Sequence, residues 1–413
     1  MSVSIRTKIM EVLFNVQGYY AKDIHFSNDN KKIIIEVEQT FESRCPRCGL
    51  SGNSYHYDTS YRMIYIGSIL CRPVYARVKI YRFDCPNCGV LTERQSISTG
   101  KSRYSKSIGK MIIQYTKLLD NVSTGKLLGI SESTIYRSDR EELSKLMECY
   151  LEKVPQVHKA CVDEVAYKRR HNYATILTNQ KDGKVLWIEK DRKSESLSSA
   201  YNKLSGNLSN LKSVSMDFWT AYDKATTAKF PWVSIVYDRF HLSQILNRHV
   251  EEERRNYQKN LPPDKRKYVK KNTRWLLLRR RSNFNETHIE RFNQLKKDNE
   301  RLYEMYLLKE DFLSIFDYKI SRQEAHIKIM KWVSLVTMLP YPSLMSFAKK
   351  VIKRIQKILN WFDDPISNGK AEGINNTIKT LLKRAYGYKD FDYFRMKVLQ
   401  KCGYLMEAPT HTF

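Results

Sequence analysis

Two copies of a Cys-Pro-x-Cys-Gly motif near the N-terminus constrain the fold of this chain more than any other feature. The first copy contains Cys45 and Cys48, and the second contains Cys85 and Cys88. Four thiolates in two such pairs match the tetrahedral site of a structural Zn²⁺. Four reduced core cysteines, or a redox-active pair, are the alternatives, and the repetition of the motif disfavours both. The motif therefore predicts one structural zinc ion in a small module.

The chain also carries a large excess of positive charge. Its 413 residues include 72 Lys and Arg against 44 Asp and Glu, a formal net charge of +28. Such an excess predicts a polyanionic partner. A membrane is the competing polyanion, but no segment reaches the roughly 18 consecutive apolar residues of a spanning helix, and the N-terminus lacks the pattern of a secretory signal. We therefore expect a cytoplasmic protein that binds nucleic acid and no membrane.

The spacing of apolar residues changes along the chain and predicts its organisation. Runs of β-branched and aromatic residues indicate a β-rich module over residues 1–98, and three- and four-residue spacing then indicates helices over 99–154. Strand-like segments return over 155–243, as in an α/β core. Residues 244–361 are helical, so the core either ends there or is interrupted, and residues 362–413 add further helices.

Residues 121–140 match the pattern of a helix-turn-helix. A first helix ends at Leu128, Gly129 supplies the turn, and Ser131 stands at the N-cap of a second helix. In this motif the second helix enters the major groove of DNA. An ordinary helical hairpin is the alternative. The side chains expected to face the bases are Glu132, Ser133, Thr134 and Arg137.

Three carboxylates stand out by their sequence context as candidates for a two-metal phosphodiester site. Asp163 and Asp217 each follow a short apolar strand, and Glu372 lies in a helical segment after an Asn368-Gly369 turn. Hard cations need oxygen ligands that converge from separate elements. Taken singly, an Asp at the end of a strand more often caps a helix. The spacing therefore makes these residues candidates and leaves the choice open.

Other acidic residues compete for the same role. Asp223 and Asp238 are the rivals of Asp217. Strand alternation places Glu164 on the face opposite to Asp163.

A strongly basic segment lies in the helical region. From Arg254 to Arg281 the chain has twelve Lys or Arg and one acidic residue, Asp264. Such a segment can neutralise phosphates without reading a base sequence. A solvated basic helix face is the alternative, and Trp275, beside three leucines, is expected in the core. The arginines expected to contact DNA are Arg279, Arg280 and Arg281.

Taken together and in their order along the chain, these segments resemble the ISL3 family of bacterial insertion-sequence transposases. The resemblance runs from Cys45 to about Arg395. Its most specific parts are DRFH at 238–241 and NGKAEGINNTIK at 368–379, behind the double cysteine motif and the helix-turn-helix pattern.

The resemblance implies a DDE transposase with an RNase H-like catalytic core. In such an enzyme Asp163, Asp217 and Glu372 would hold two Mg²⁺ or Mn²⁺ ions. The implied organisation is multidomain α/β, with a zinc-binding module, a helix-turn-helix domain, and a mixed α/β core interrupted by an all-helical insertion. The corresponding ranges are 1–98 for the zinc-binding module, 99–154 for the helix-turn-helix domain, 155–243 and 362–413 for the core, and 244–361 for the insertion.

The same resemblance implies function and partners. The protein would bind the terminal inverted repeats of an insertion sequence, cleave DNA and join the ends to target DNA. A homodimer or larger assembly on double-stranded DNA, associated with the bacterial nucleoid, is then expected. An RNase H-like nuclease without strand transfer and a non-catalytic DNA-binding regulator are the alternatives, and the presence of all three carboxylates disfavours the regulator.

Further residues are expected near the catalytic site. Asn376 and Lys379 lie four and seven residues after Glu372, on one helical face. Lys379 could hold a DNA phosphate, with a solvated polar stripe as the alternative. Asp238 and His241 are expected close to the site without a ligand role.

Overall fold

The chain folds into two compact units, each with its own sheet. The computed structural model describes residues 3–407 apart from positions 53, 71, 94, 99–101, 169–171 and 366–368. The first unit comprises residues 1–150, 384–386 and 392–401, and the second comprises the remainder of the chain. The mixed α/β architecture expected from the sequence is confirmed. Asn368, which the sequence places in a turn, lies outside the described residues.

The sheet of the first unit has the order β1-β2-β4-β3, with β5 paired to β4. Only the pairing of β2 with β4 is parallel among these described strands. The strands are β1 (Tyr19–Phe26), β2 (Ile33–Gln39), β3 (Ser54–Ile69), β4 (Arg72–Cys85) and β5 (Gly89–Thr92). Along β4 every second side chain is buried, from Val74 to Ile80. These side chains pack on Met10 and Phe14, so one face of the sheet forms a core.

The helices of the first unit are α1 (Val3–Lys8), which continues as a π-helix (Ile9–Leu13), α2 (Lys106–Leu118), α3 (Asn121–Leu128), α4 (Glu132–Glu148) and most of α17 (Phe391–Cys402). Of these, α2, α3 and α4 contribute Ile108, Ile112, Leu128 and Ile135 to a second, smaller core with Tyr65. Helix α3 ends at Gly129 with φ +66°, which favours glycine. A Cβ atom on Gly125 would lie 2.6 Å from the Ile130 carbonyl oxygen, so the tight turn between α3 and α4 depends on this glycine.

A buried charged pair joins α17 to α4 within the first unit. The side chains of Asp139 and Lys397 are 0% and 3% exposed, and Lys397 Nζ lies 3.1 Å from Asp139 Oδ2. The hydroxyl of Tyr393 donates to the same carboxylate at 2.6 Å, and Lys397 Nζ also donates to the Thr116 carbonyl at 2.8 Å. Because every charge has a partner, the network can remain buried at a tolerable cost. The C-terminal helix is therefore part of the first unit.

The sheet of the second unit has the order β10-β9-β6-β7-β8. The strands are β6 (Lys159–Lys168), β7 (Asn172–Asn179), β8 (Val185–Lys190), β9 (Ser213–Met216) and β10 (Ser234–Tyr237). Strands β6, β7 and β8 are antiparallel neighbours, whereas β9 is parallel to both β6 and β10. Val162 pairs with Met216, and Met216 pairs with Tyr237. The residues that follow in β6, β9 and β10 therefore reach one edge of the sheet together.

Helices make up most of the rest of the second unit. Three of them precede β10 in the chain: α5 (Tyr150–Lys153), α6 (Ser194–Lys203) and α7 (Thr220–Lys229). After β10 the described elements are all helical: α8 (Arg239–Lys259), α9 (Pro263–Asn272), α10 (Arg274–Leu278), a 3₁₀ turn (Arg281–Asn283), α11 (Glu286–Asp298), α12 (Glu300–Ser314), α13 (Arg322–Met338), α14 (Pro342–Lys353), α15 (Ile355–Asp363) and α16 (Gly369–Arg384).

Helix α15 packs against β10, which returns the chain to the sheet before α16 begins. None of the helices in the described part of the chain has the length and apolar content needed to cross a membrane.

Candidate active site

The candidate site lies at the edge of the second sheet where β6, β9 and β10 carry aspartates in equivalent positions. Val162, Met216 and Tyr237 are paired across β6, β9 and β10. The next residue in each case is an aspartate: Asp163, Asp217 and Asp238. Neighbouring strands lie about 4.8 Å apart. The register alone therefore brings Asp163 and Asp217, two of the residues predicted from sequence, within reach of a shared cation.

Asp163 is held by two hydrogen bonds, one from its own strand and one from α16. Its Oδ1 accepts from the backbone N–H of Glu164 at 2.7 Å, and its Oδ2 accepts from Asn375 Nδ2 at 2.6 Å. Burial, followed by the charge of Asp217, raises the pKa of Asp163 to about 6. A carboxylate that is oriented but poorly compensated in charge is suited to a cation.

Asn375 is a site residue that sequence reasoning missed. The sequence analysis singled out Asn376 by its four-residue spacing from Glu372, yet the side chain of Asn376 is exposed. Three-residue spacing also places side chains on one face of a helix, and this spacing relates Asn375 to Glu372. The relevant signal was therefore present in the sequence but equally compatible with either asparagine.

His241 lies in the first turn of α8 beside Asp217. Its Nε2 is 2.8 Å from Asp217 Oδ1 and 3.7 Å from Asp238 Oδ2. Burial opposes protonation of the imidazole, but the hydrogen bond and charge of Asp217 outweigh it, so the pKa of His241 is raised. His241 therefore lies directly beside Asp217, a predicted metal ligand, whereas the sequence analysis expected it only near the site.

The donor atoms fit a divalent cation. Among the described residues, Asp163, Asp217 and His241 each offer one ligand atom, and these atoms lie within 4.8 Å of one another. Asp217 Oδ1 is buried, and His241 Nε2 lies 2.8 Å from it. Carboxylate oxygens suit Mg²⁺ and Mn²⁺, and imidazole is also accepted by the later transition metals.

The other predicted acidic residues occupy different positions. Glu372 is exposed in the first turn of α16, one turn before Asn375, and it does not belong to the close group of ligand atoms. Asp223 accepts from the Tyr237 hydroxyl at 2.8 Å and pairs with Lys357. Asp238 is the N-cap of α8 and accepts from the Phe240 N–H at 3.1 Å. Asp223 and Asp238 thus have local structural partners.

Comparison with known proteins agrees with the resemblance seen in the sequence. The model of the DDE_Tnp_ISL3 family, described as "Transposase", matches residues 160–398, more than half of the chain. The chain belongs to the ISL3 transposase family. The family resemblance stated from the sequence motifs is thereby confirmed.

Individual members and one solved structure are also similar to this transposase. The transposase for insertion sequence element IS1001 of Bordetella parapertussis is 27% identical over 403 residues, which covers 95% of this chain and 97% of that protein. The transposase for IS1557 of Mycobacterium tuberculosis (strain CDC 1551 / Oshkosh) is 20% identical over 89% of each chain. The Drosophila P element transposase strand transfer complex matches with a TM-score of 0.37 at 12% identity, covering 72% of this chain and 92% of that chain.

The four motif cysteines of this ISL3 family member form a second candidate metal site. The Sγ atoms of Cys45, Cys48, Cys85 and Cys88 lie within 4.8 Å of one another, and those of Cys48 and Cys85 are 3.5 Å apart. Backbone hydrogen bonds, first from Cys48, lower the pKa of Cys45 to about 6. Four converging sulfurs, one of them with a thiolate favoured by the backbone, fit a tetrahedral Zn²⁺.

The residues predicted to face DNA lie on three separate helical regions of the transposase. Ser133 and Arg137 are exposed in the first two turns of α4, where Arg137 Nε donates to the Ser133 carbonyl at 3.2 Å, and Thr134 is half-buried. Lys379 is exposed on α16, and Arg279 is exposed after α10.

The structure adds a detail about Arg280 and corrects one expectation about the basic segment. Arg280 forms ion pairs with Asp317 and with Glu310, whose carboxylate lies 3.6 Å from Arg280 Nε. Its charge is therefore partly compensated within the protein. The expectation that Trp275 lies in the core is wrong: Trp275 is 70% exposed, because Leu276 and Leu277 occupy the buried side of the short helix α10.

Proposed function

We propose that this chain is a DDE transposase that cleaves and joins DNA with Asp163, Asp217 and Glu372. The observation that carries the proposal is the matched register of β6 and β9, which places Asp163 beside Asp217, whose buried Oδ1 lies 2.8 Å from His241 Nε2. Enzymes that transfer phosphodiester bonds with two metal ions need such a pair of carboxylates on rigid neighbouring elements.

The proposed catalytic core is RNase H-like. Support comes from the second sheet, in which three antiparallel strands are followed by two strands parallel to the first. Helices α8 to α15 then form the proposed insertion, since α15 returns to β10 before α16 brings Glu372. The proposed division of the chain keeps the ranges 1–98, 99–154, 155–243, 244–361 and 362–413, with most of α17 packed in the first unit.

Five side chains in this core have proposed roles in holding the metal ions that act on the phosphate. When bound, two Mg²⁺ or Mn²⁺ ions would stabilise the charge on the transferred phosphoryl group and favour ionisation of the attacking water or 3′-hydroxyl. Asp163 and Asp217 would hold these ions, and Glu372 would complete the set from α16. Asn375 orients Asp163 through its 2.6 Å hydrogen bond. His241, 2.8 Å from Asp217 Oδ1, either orients that carboxylate or serves as a further ligand.

DNA recognition is proposed for the first unit. The cysteine site would hold one structural Zn²⁺, and α3 and α4 would form a helix-turn-helix in which Ser133, Thr134 and Arg137 face the terminal inverted repeats. The glycine-dependent turn between α3 and α4 and the exposure of Ser133 and Arg137 support this assignment. Lys379 on α16 is proposed to contact a DNA phosphate. A homodimer or larger assembly on double-stranded DNA is part of the proposal, because two ends are to be joined to one target.

The test is strand cleavage and joining on a duplex that carries the end of the element, in the presence of Mg²⁺. Asp163→Asn, Asp217→Asn and Glu372→Gln should each reduce product formation by at least about a thousandfold, because each removes a negatively charged ligand that would hold a metal ion at the reacting phosphate. Binding of the same duplex, measured without Mg²⁺, should remain. Glu286→Gln, an exposed substitution in the first turn of α11, is the matched control.

Other outcomes of this assay would contradict particular parts of the proposed function. Cleaved but unjoined ends would indicate a nuclease. Binding without cleavage by the unaltered protein would indicate a DNA-binding regulator. If Glu372→Gln kept full activity and His241→Ala lost it, the third metal ligand would be His241 on α8 and not Glu372 on α16.

A further inference from the structure

Helix α8 extends directly away from the candidate site and carries a continuous polar face. His241, Arg248 and Arg255 are spaced seven residues apart, so they project in nearly the same direction from the helix. Gln244 and Lys259 lie on the same face, and all four side chains after His241 are exposed. At a rise of about 1.5 Å per residue, this face runs for about 27 Å from His241 to Lys259.

The basic side chains of α8 line a groove that neighbouring helices deepen. Two adjoining depressions share Glu251, Arg255 and Arg274 in their walls. Arg248 and Lys259 line one of them, beside α10. The other lies against α9. We call the two depressions together the α8 groove; its remaining basic residues are Arg254, Arg266 and Lys267.

The charge of the α8 groove is positive even after its internal ion pairs are taken into account. Seven basic side chains line it, against the two acidic residues Glu251 and Glu252. Glu251 accepts from Arg254 Nε and Arg255 Nε, both at 2.8 Å, and Glu252 accepts from the Ser343 hydroxyl at 2.7 Å. Glu251 is thus shared among arginines of the groove itself, including Arg274 at 3.7 Å. Two carboxylates cannot neutralise seven basic side chains, so the groove keeps an excess of positive charge.

The α8 groove is suited to bind the phosphates of a DNA backbone and not to distinguish one base sequence from another. Exposed Arg and Lys side chains bind phosphates irrespective of sequence. Arg248 and Arg255 are separated by about 10.5 Å along the helix, or about three steps of 3.4 Å along a DNA strand. The full face would follow about eight base pairs of duplex, starting from the candidate site.

We propose that the α8 groove binds the donor DNA that flanks the element, from the reacting phosphate outwards. The inference rests on the proposed transposase function and extends it by naming the DNA segment that this surface holds. Flanking DNA differs in sequence at each insertion site, so it can only be held through features common to all DNA. A groove of cations that begins at the candidate site meets this requirement.

The test uses end duplexes with 2, 4, 6, 8 or 10 base pairs of flanking DNA. Cleavage by the unaltered protein should rise with flank length and level off at about eight base pairs, the length of the α8 face. Arg248→Gln combined with Arg255→Gln should remove this dependence and lower cleavage of the longest substrate by about tenfold or more, with a salt dependence of binding shallower by about 0.9 per lost contact. Cleavage of the two-base-pair substrate should stay unchanged. Arg291→Gln, an exposed substitution on α11, is the matched control.

Three results would overturn the proposal: no effect of flank length in the unaltered protein, an unchanged length dependence in the double variant, or a loss confined to the joining of pre-cleaved ends to target DNA. The last result would indicate that the α8 groove binds target DNA and not flanking DNA. Failure of the proposed function looks different. In that case no substrate is cleaved, yet binding without Mg²⁺ still strengthens with flank length and still depends on Arg248 and Arg255. Such a result would support binding of flanking DNA by the α8 groove, independently of catalysis.

Discussion

Asp163 and Asp217 place two negative charges close together in a partly buried position. The hydrogen bonds from Glu164 N–H and Asn375 Nδ2 orient Asp163, but burial and the neighbouring charge still raise its pKa to about 6. The fold thus holds two carboxylates close together at a cost in charge repulsion and burial. Such strain is typical of sites that bind a divalent ion, since the ion removes both the repulsion and the cost of burial.

The first prediction concerns the stability of the metal-free protein. The pKa of Asp163 is about 6 in the folded state, against about 3.9 in an unfolded chain, so ionised Asp163 destabilises the fold above pH 6. Asp163→Asn should therefore raise the free energy of unfolding at pH 7.5 by about 1–3 kcal/mol, with the Asn375 carboxamide turned to donate elsewhere. The gain should vanish below about pH 4, where both states are protonated. Denaturant unfolding at several pH values measures it, and a loss of stability at pH 7.5 would contradict it.

The second prediction separates Asn375 from its neighbour. Asn375→Ala removes the hydrogen bond to Asp163 Oδ2. The Mg²⁺ concentration needed for half-maximal cleavage should then rise by about tenfold or more, as is usual when a partner of a metal ligand is lost, while end binding without Mg²⁺ is unchanged. Asn376→Ala should behave like the unaltered protein, because Asn376 is exposed. Equal effects of both substitutions would assign Asn375 a general structural role.

At the scale of elements, the C-terminal helix α17 completes the helical part of the first unit. Its Lys397 is buried against Asp139 of α4, and burial lowers the pKa of this lysine. Helices α16 and α17 are consecutive in sequence but belong largely to different units. The proposed DNA-binding helices therefore depend on residues from the far end of the chain.

Removing one partner of this pair should destabilise the first unit. Asp139→Ala leaves Lys397 without its buried counter-charge, and the expected loss is about 3–5 kcal/mol. The double variant Asp139→Leu with Lys397→Met should lose less than Asp139→Ala, since no unpaired buried charge remains. Thermal unfolding and end-binding affinity are the measurements. A double variant at least as unstable as the single one would show that shape, and not charge pairing, dominates here.

The cysteine site gives a separate prediction at the same scale. The purified protein should contain one Zn²⁺ per chain, and Cys48→Ser should lose it together with end binding, because the short strand β5 and the loops around the motifs depend on the metal. Elemental analysis and a binding assay test both statements. Cys149→Ser is the control, since Cys149 donates to the Leu146 carbonyl in another part of the unit. Full zinc content in Cys48→Ser would exclude this residue as a ligand.

On the scale of the whole molecule, the formal charge of +28 should dominate association with DNA. Binding of a duplex without the terminal repeat should weaken by about a thousandfold between 50 and 200 mM salt if about six phosphates are contacted. Binding to the repeat should weaken with a similar slope but remain tighter at every salt concentration. Fluorescence anisotropy titrations measure both slopes. A slope near zero for either duplex would contradict a binding mode based on phosphate contacts.

The sequence by itself determined much of this protein, namely the elements, the cysteine pairs, the candidate aspartates and the family. Helical and strand periodicity and the spacing of two motif cysteines are local properties, so they can be recognised without the fold. Asp163 and Asp217 were recognisable because each follows an apolar strand, and the family motifs at 238–241 and 368–379 linked them.

Only the tertiary structure decided which side chains meet. The pairing of Val162 with Met216 joins two strands that are more than fifty residues apart, and Asn375 reaches Asp163 over 212 residues of chain. The exposure of Trp275 and the place of α17 beside α4 likewise depend on packing between distant segments. Strand register and packing are set by the burial of many side chains at once, so no local pattern in the sequence specifies them.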